Sequence, residues 1–305
     1  MIDYDSLLEK IPRVRKILDD GSEGSLYHYT KPEKLLSILE SGTIRFSNAL
    51  FLNDKEEVTY SYRLIGNLIE EMPELNMDLF SKIKEHFYHR YKNIIDGDDS
   101  SGNKYEYYTI SFSTDNDNLT LWNNYSKGQT YTGYNIGFCK KDLIADMEKQ
   151  GFPSVYGNII YNRKTQLTIL KMIFEKWNRE FEKLLTARKS QKNEDKKLDV
   201  LFELIDILSV ISLFFKNPHF KDEKEYRIIF INNFRSDAFK QTKIFEKNGL
   251  FVPYIEYKFR KRTVDSINIG PTLEENIFYT STCRMLSNFG YEKKKINRSK
   301  IPLRY

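Results

Sequence analysis

Two long helical stretches sit inside a chain whose other apolar segments are mostly strand-like, and this arrangement limits the folds available. Arg163 to Ala187 and Lys196 to Phe215 read as helices, joined by the charged stretch Lys189-Ser-Gln-Lys-Asn-Glu-Asp. Before them, strand character falls at Leu26–Thr30, Thr43–Ser47, Tyr105–Thr114, Tyr131–Phe138 and Val155–Tyr161. After them, strands dominate from Tyr226 to Ile269. A helical pair interrupting a strand-rich body predicts one α+β domain over residues 1–305, with a mixed or antiparallel β core. In this reading 1–20 form an N-terminal helix and 163–216 are the inserted pair.

The helix expected at Ile2–Leu18 carries an apolar stripe of Leu7, Leu8, Ile11, Val14, Ile17 and Leu18. Pro32 starts a short helix straight after the first strand, and Gly42 stops it before the second. Residues 56–95 read as two helices parted by Pro73, and Asp96-Gly-Asp-Asp-Ser-Ser-Gly as a loop. Further helical segments are expected at Leu119–Ser126, Lys140–Lys149 and Leu273–Asn288. No internal repeat is present.

The longest apolar run, Val200–Phe215, contains Glu203 and Asp206 and falls short of the roughly 18–20 residues a spanning helix needs. It reads as a buried core helix, so no membrane association is expected. Cys139 and Cys283 are the only cysteines and suggest a reduced compartment. The first residues lack the apolar run of a secretion signal, and a cytoplasmic location is expected. A net charge of +5 permits nucleic-acid contact without requiring it. The cluster Lys293, Lys294, Lys295, Arg298 and Lys300 fits a solvated tail as well as phosphate binding. Four histidines with one i, i+3 pair and no third ligand argue against a metal centre. No Walker loop, dinucleotide-binding glycine motif or nucleophile elbow occurs.

Three segments can carry chemistry. In Tyr27-His28-Tyr29-Thr30, strand alternation sends His28 and Thr30 to one face and the tyrosines to the other. His28 suits ligand contact at a strand end, or a backbone-bonded core role. In the second, Ser111 and Ser113 share a strand face with Thr109, where hydroxyls bind a sugar or phosphate or face water. Trp122 and Tyr125, three apart on a helical turn, can stack on a planar ring or fill core. Nearby, Asn53-Asp54-Lys55-Glu56 reads as a turn and helix cap. The third segment is Glu223-Lys-Glu225-Tyr-Arg227, where charges give way to a β-branched run. Period-two geometry puts Glu223, Glu225 and Arg227 on one side of a strand. A guanidinium beside two carboxylates can fix their ionisation and orientation, or form an ordinary edge ion pair.

The order of short motifs resembles the bacterial domain-of-unknown-function family 2971. These are Leu26-Tyr27-His28-Tyr29-Thr30, Ile38-Leu39-Glu40-Ser41-Gly42, Leu52-Asn53-Asp54-Lys55-Glu56, Ser111-Phe112-Ser113 and Leu121-Trp122-x-x-Tyr125. Gly137-Phe138, Glu223-Lys224-Glu225-Tyr226-Arg227, Ile269-Gly270-Pro271 and Ser299-Lys300-Ile301-Pro302-Leu303-Arg304 follow. The opening His-x-Thr strand and short helix are similar to the start of DarT-like ADP-ribosyltransferases, with Ser-Phe-Ser where those have Ser-Thr-Ser. The resemblance implies an ADP-ribosyltransferase-like fold and NAD as substrate, without metal. It implies that His28 holds the NAD ribose with Thr30 beside it, that Ser111 and Ser113 support the nicotinamide half, and that Trp122 or Tyr125 stacks. Glu225, kept ionised by Arg227 or a neighbouring lysine, would be the catalytic carboxylate, and Glu223 the base toward an RNA, DNA or protein acceptor. A toxin or phage-defence role, with an antitoxin or regulatory partner, is implied in the same way. The other reading is a non-enzymatic nucleotide- or nucleic-acid-binding module with a structural ion-pair row at Glu223, Glu225 and Arg227.

Overall fold

The computed structural model describes residues 8–51, 55–71, 77–96, 105–125, 132–152, 154–186, 191–233, 241–247 and 249–302. Expectations for residues 2–7, Asn53, Asp54, Pro73, the loop 97–102 and the ends at Leu303 and Arg304 lie outside these. The architecture is mixed α and β, built, among the described residues, on a ten-stranded sheet.

Local sequence explains the opening unit. Helix α1 (Pro12–Leu18) starts afresh at Pro12, which lacks the N–H to continue the preceding turn, so the expected Ile2–Leu18 helix is broken there. Strand β1 (Ser25–Thr30) leads to helix α2 (Pro32–Ser41), with Pro32 in its first turn. Gly42 ends it at φ 65°, its N–H bonded to the Ile38 carbonyl at 2.9 Å, and strand β2 (Thr43–Asn48) follows. Helices α3 (Lys55–Glu70) and α4 (Met77–Asp96) lead to strand β3 (Tyr105–Ser113). Short helix α5 (Leu119–Tyr125), strand β4 (Tyr134–Cys139), helix α6 (Lys140–Lys149) and strand β5 (Ser154–Asn158) come next.

The long helices are α7 (Arg163–Thr186) and α8 (Gln191–Ser212). The charged stretch read as a linker is therefore helical from Gln191 onward; its polar residues form the first turns of α8, where Glu194 faces the helix's positive end. A 3-10 turn (Pro218–Glu223) precedes strands β6 (Glu225–Asn233), β7 (Lys243–Lys247), β8 (Leu250–Lys258) and β9 (Val264–Ile269). Helix α9 (Glu275–Asn288) and strand β10 (Lys295–Arg298) complete the described fold. The basic segment that could have been a solvated tail is thus an edge strand, paired parallel with β9 from Lys295↔Ser266 to Arg298↔Ile269.

Pairing around β3 shapes the sheet. One edge of β3 pairs with β6 over nine residues, from Tyr105↔Asn233 to Ser113↔Glu225, and β5 lies beyond β6. The other edge is shared. β1 meets it only at Tyr27↔Ser113, while β2 meets it only at Ser47↔Thr109 and Asn48↔Tyr108. From there β1 runs with β4, β9 and β10, and β2 with β8 and β7. The sheet is therefore split along β3, and Ile110–Phe112 border the opening between the two wings.

Strand alternation assigns the faces. Tyr226, Ile228 and Phe230 of β6 join Tyr108, Ile110 and Phe112 of β3 in one buried cluster, covered by Leu35 and Leu39 of α2 and Leu143 and Met147 of α6. Ile229 and Ile231 face the other cluster, built from α1, α3, α4, α7 and α8. Val200–Phe215 is core as expected: Leu204, Ile207, Leu208 and Ile211 are buried there, although Phe202 is exposed. Truncating a core residue such as Ile229 to Ala would cost roughly 2–5 kcal/mol.

Candidate functional site

Glu225 begins β6, and its carboxylate points to the face shared with α7 and α8. It is 4% exposed, a burial that ionisation tolerates only with partners. Arg227, two residues on and on the same face, supplies them: Nε lies 2.8 Å and Nη2 2.7 Å from Glu225 Oε1. Arg227 Nη1 also donates to the Leu213 carbonyl at 2.7 Å, so the C-terminal end of α8 orients the guanidinium. Lys216 Nζ lies 3.2 Å from Glu225 Oε2 and 2.7 Å from Glu223 Oε2, bridging the two carboxylates. Burial pushes the Glu225 carboxyl up, but the charges of Arg227 and Lys216 and the Ser111 hydrogen bond outweigh it and hold it below the ordinary range.

Glu223 does not share the strand with Glu225. It closes the 3-10 turn, and Lys224 between them adopts a left-handed conformation at φ 46°. The period-two expectation therefore holds for Glu225 and Arg227 and fails for Glu223, because the chain turns at Lys224 before β6 begins. Lys216 restores the proximity that the strand does not supply. Lys224 is itself tied down, its carbonyl accepting from Thr114 N at 3.0 Å and its Nζ 2.8 Å from Asp115.

Ser111 joins the strands. Its hydroxyl donates to Glu225 Oε1 at 2.5 Å, as the cross-strand pair Ser111↔Arg227 allows. Its backbone carbonyl, on the split edge of β3, lies 3.1 Å from His28 Nδ1. A carbonyl only accepts, so Nδ1 carries the proton and Nε2 presents a lone pair with no partner among the described residues. Burial pushes the His28 pKa down, partly countered by the Ser111 bond, which favours this neutral form. The faces differ, however. Register Tyr27↔Ser113 puts the tyrosines of β1 on the Glu225 side, and the His28 ring instead packs edge-on against Phe112, 5.8 Å away. His28 and Glu225 thus meet through Ser111, which itself is exposed, rather than across one surface.

The remaining expected residues divide. Ser113 Oγ donates to the Glu223 carbonyl at 2.8 Å and accepts from Asp115 N, a bracing role. Thr30 is buried on the His28 side of β1. Trp122 is 2% exposed; its ring packs on Tyr29 at 4.6 Å and its Nε1 donates to Asp117 at 2.8 Å. Gly270 permits this packing, since a Cβ there would stand 2.9 Å from the indole. Tyr125 is the accessible member of the pair, half-buried and 6.4 Å from Tyr29. Burial, then the charges of Glu223 and Glu225, push its hydroxyl pKa up, which places the phenol in the field of both carboxylates.

Three participants carried no expectation. Lys216 is 6% exposed, and its one visible mark is position: a lone cation closing the apolar run at Phe214-Phe215. Tyr161 Oη accepts from Glu225 N at 3.0 Å, and burial with the Glu225 charge pushes its pKa up. Asn118 caps α5 by accepting from Leu121 N at 3.1 Å, and its Nδ2 donates to the Asp222 carbonyl at 2.5 Å. It thereby ties α5 to the turn that carries Glu223. Among the described residues no group of three or more potential metal ligands gathers.

Fold and site together define an α+β protein with a split mixed sheet and a buried, doubly paired carboxylate at the split. Residues 121–228 match the family described as Protein of unknown function (DUF2971). The match runs from α5 into β6 and includes Tyr125, Lys216, Glu223, Glu225 and Arg227. No curated protein and no solved structure matches the chain. No helix among the described residues is long and apolar enough to cross a membrane.

Proposed function

We propose that the protein is an NAD-dependent ADP-ribosyltransferase whose catalytic carboxylate is Glu225, on a fold of the ADP-ribosyltransferase kind. The observation that carries this reading is the double engagement of Ser111, by side chain to Glu225 and by backbone to His28, at the split of the sheet. Cleavage of the nicotinamide–ribose bond develops positive charge on the ribose, as in glycoside cleavage. An ionised carboxylate bonded to a ribose hydroxyl stabilises that charge more than it stabilises ground-state NAD. Glu225 is suited to this: Arg227 and Ser111 occupy Oε1, while Oε2 accepts only from Lys216 among the described residues and has a lone pair to spare.

Each other group takes one part. Neutral His28, on the other face of the sheet, donates through Nδ1 to the Ser111 carbonyl and so acts as a positioning residue for Ser111 and Glu225. Tyr125 is the ring on which nicotinamide stacks. Glu223, more exposed than Glu225 with a side chain 19% accessible, takes the proton from the acceptor nucleophile. The acceptor is RNA or DNA, consistent with the basic balance of the chain, and a toxin or phage-defence setting in the bacterial cytoplasm with an antitoxin-like partner belongs to the same proposal.

Incubation of purified protein with NAD labelled in the adenylate, together with RNA, DNA or cell lysate, tests it. Nicotinamide release with label transfer to a macromolecule is expected, and His28→Phe should slow both by at least about tenfold through loss of a positioning hydrogen bond. Neither release nor transfer from a folded protein would leave the non-enzymatic binding module as the reading, with the ion pairs purely structural.

A further inference from the structure

We propose that a cavity at the β9–β10 end of the sheet binds a nucleotide unit, a phosphate carried beside a planar base. The inference does not rest on the NAD reading, because it concerns another part of the molecule and is tested by binding alone. The cavity has a volume of about 710 Å3 and is lined by Asp117, Asn268, Tyr279, Asn297, Arg298 and Lys300, among others. That volume falls among ordinary small-molecule sites.

A row of amides enters it. Asn135, Asn268 and Asn297 stand side by side on β4, β9 and β10, in register. Asn297 Nδ2 donates to Asn268 Oδ1 at 2.6 Å, Asn268 Nδ2 to Asn135 Oδ1, and Asn135 Nδ2 to the Asn116 carbonyl at 2.9 Å. Asn135 and Asn268 are 0% and 2% exposed. Buried amides in a sheet interior are costlier than apolar residues unless every bond is made. Here the row runs in one direction and ends at Asn297 Oδ1, which has no partner among the described residues. The row thus delivers an oriented acceptor to the cavity, suited to the exocyclic amine of a base.

The cations match the other half of such a ligand. Lys300 Nζ has no partner among the described residues. Arg298 lies over the Tyr279 ring, 4.7 Å from its centroid, and meets Glu275 only at 3.3 Å. A guanidinium stationed over a ring offers N–H groups for phosphate, and guanidinium planes stack on bases. The one acid in the wall, Asp117, is turned to protein donors: Trp122 Nε1, Ser299 Oγ and Lys300 N, at 2.8, 2.5 and 2.8 Å. Lys293 and Lys295 extend the positive field along the exposed edge strand.

Binding of AMP by calorimetry, and of a labelled single-stranded oligoadenylate by anisotropy at several salt concentrations, distinguishes a free nucleotide from one within a strand. At least one of the two should bind. The double variant Arg298→Gln, Lys300→Gln, altered only at exposed positions, should lose at least about tenfold in affinity, and its salt dependence should flatten by about one unit of slope per phosphate contact removed. Asn297→Leu should weaken adenine ligands while leaving the salt slope unchanged. Binding of neither ligand by the intact protein, or equal affinity in the double variant, would overturn the assignment.

Discussion

Glu225 and Asp146 are both buried carboxylates beside an arginine, yet they differ in what else surrounds them. Asp146, on α6, is 0% exposed. Its Oδ2 accepts from Tyr257 Oη at 2.7 Å, Gln150 Nε2 at 3.0 Å and Arg260 N at 3.3 Å, while the half-exposed Arg260 side chain reaches Oδ1. Tyr257 and Arg260 fasten α6 to β8 and the residues after it, and Gln150, at the end of α6, adds bonds to Tyr257 Oη and the Lys258 carbonyl. Glu225 has two cations, a second carboxylate bridged through Lys216, an exposed serine hydroxyl and a half-buried tyrosine in its field. Burial of charge is common to both and so does not mark a site. What separates them is coupling to exposed, chemically competent groups.

Removing the arginine from each pair should widen that difference. Arg227→Ala leaves Glu225 buried without its main partner and should cost about 3–5 kcal/mol of unfolding free energy in denaturant titration. Arg260→Ala removes a largely solvated partner and leaves Asp146 its bonds from Tyr257, Gln150 and the backbone N–H at 260, so it should cost less than Arg227→Ala. Equal costs would mean that the two carboxylates are held alike.

pH sharpens the comparison next. Glu225 has a carboxyl pKa below the ordinary range in the fold, so its contribution is full above the unfolded value and is lost as pH falls through the folded one. His28 works in the same direction: burial holds it neutral, and stability declines as pH drops below 6.5, where the unfolded chain takes up the proton. Thermal midpoints should therefore fall on acidification through these ranges, and Glu225→Gln should flatten the part below pH 4.5. Because burial lowers the His28 pKa, any acid limb that His28 imposes on NAD turnover should have its midpoint below pH 6.5, and a midpoint above 6.5 would contradict the neutral form.

The smallest effect is expected at Lys224. Glycine relieves a left-handed conformation costing about 1 kcal/mol, while the exposed pair with Asp115 contributes 0–1 kcal/mol. Lys224→Gly should thus change stability by less than about 1 kcal/mol and leave Glu225 in place, checked by the same denaturant titration.

Much of this architecture was legible because it is periodic. Alternation at Tyr105–Thr114 found β3 within a residue, and Pro32 with Gly42 bounded α2. Local rules failed where a long-range partner decided the outcome. Lys295–Arg298 is a strand because β9 offers an unpaired edge, and Gln191–Asp195 are helical because the apolar face of α8 carries its polar start. The site follows the same division. Glu225 and Arg227 share a strand, so spacing relates them, and the hydroxyl of Ser111 lies across a sheet pair. Lys216 comes from beyond the end of a different element, and no spacing rule connects it with Glu223. The split along β3, which frees the Ser111 carbonyl for His28, is a property of three strands together and has no local signature.

The most direct test compares nicotinamide release by Glu225→Gln and Asp146→Asn under identical conditions, with circular dichroism confirming that both are folded. Loss of roughly two to three orders of magnitude in the first, against a change within about twofold in the second, is the predicted result. Comparable rates in the two variants would contradict the claim that the carboxylate at the split of the sheet is a reactive one.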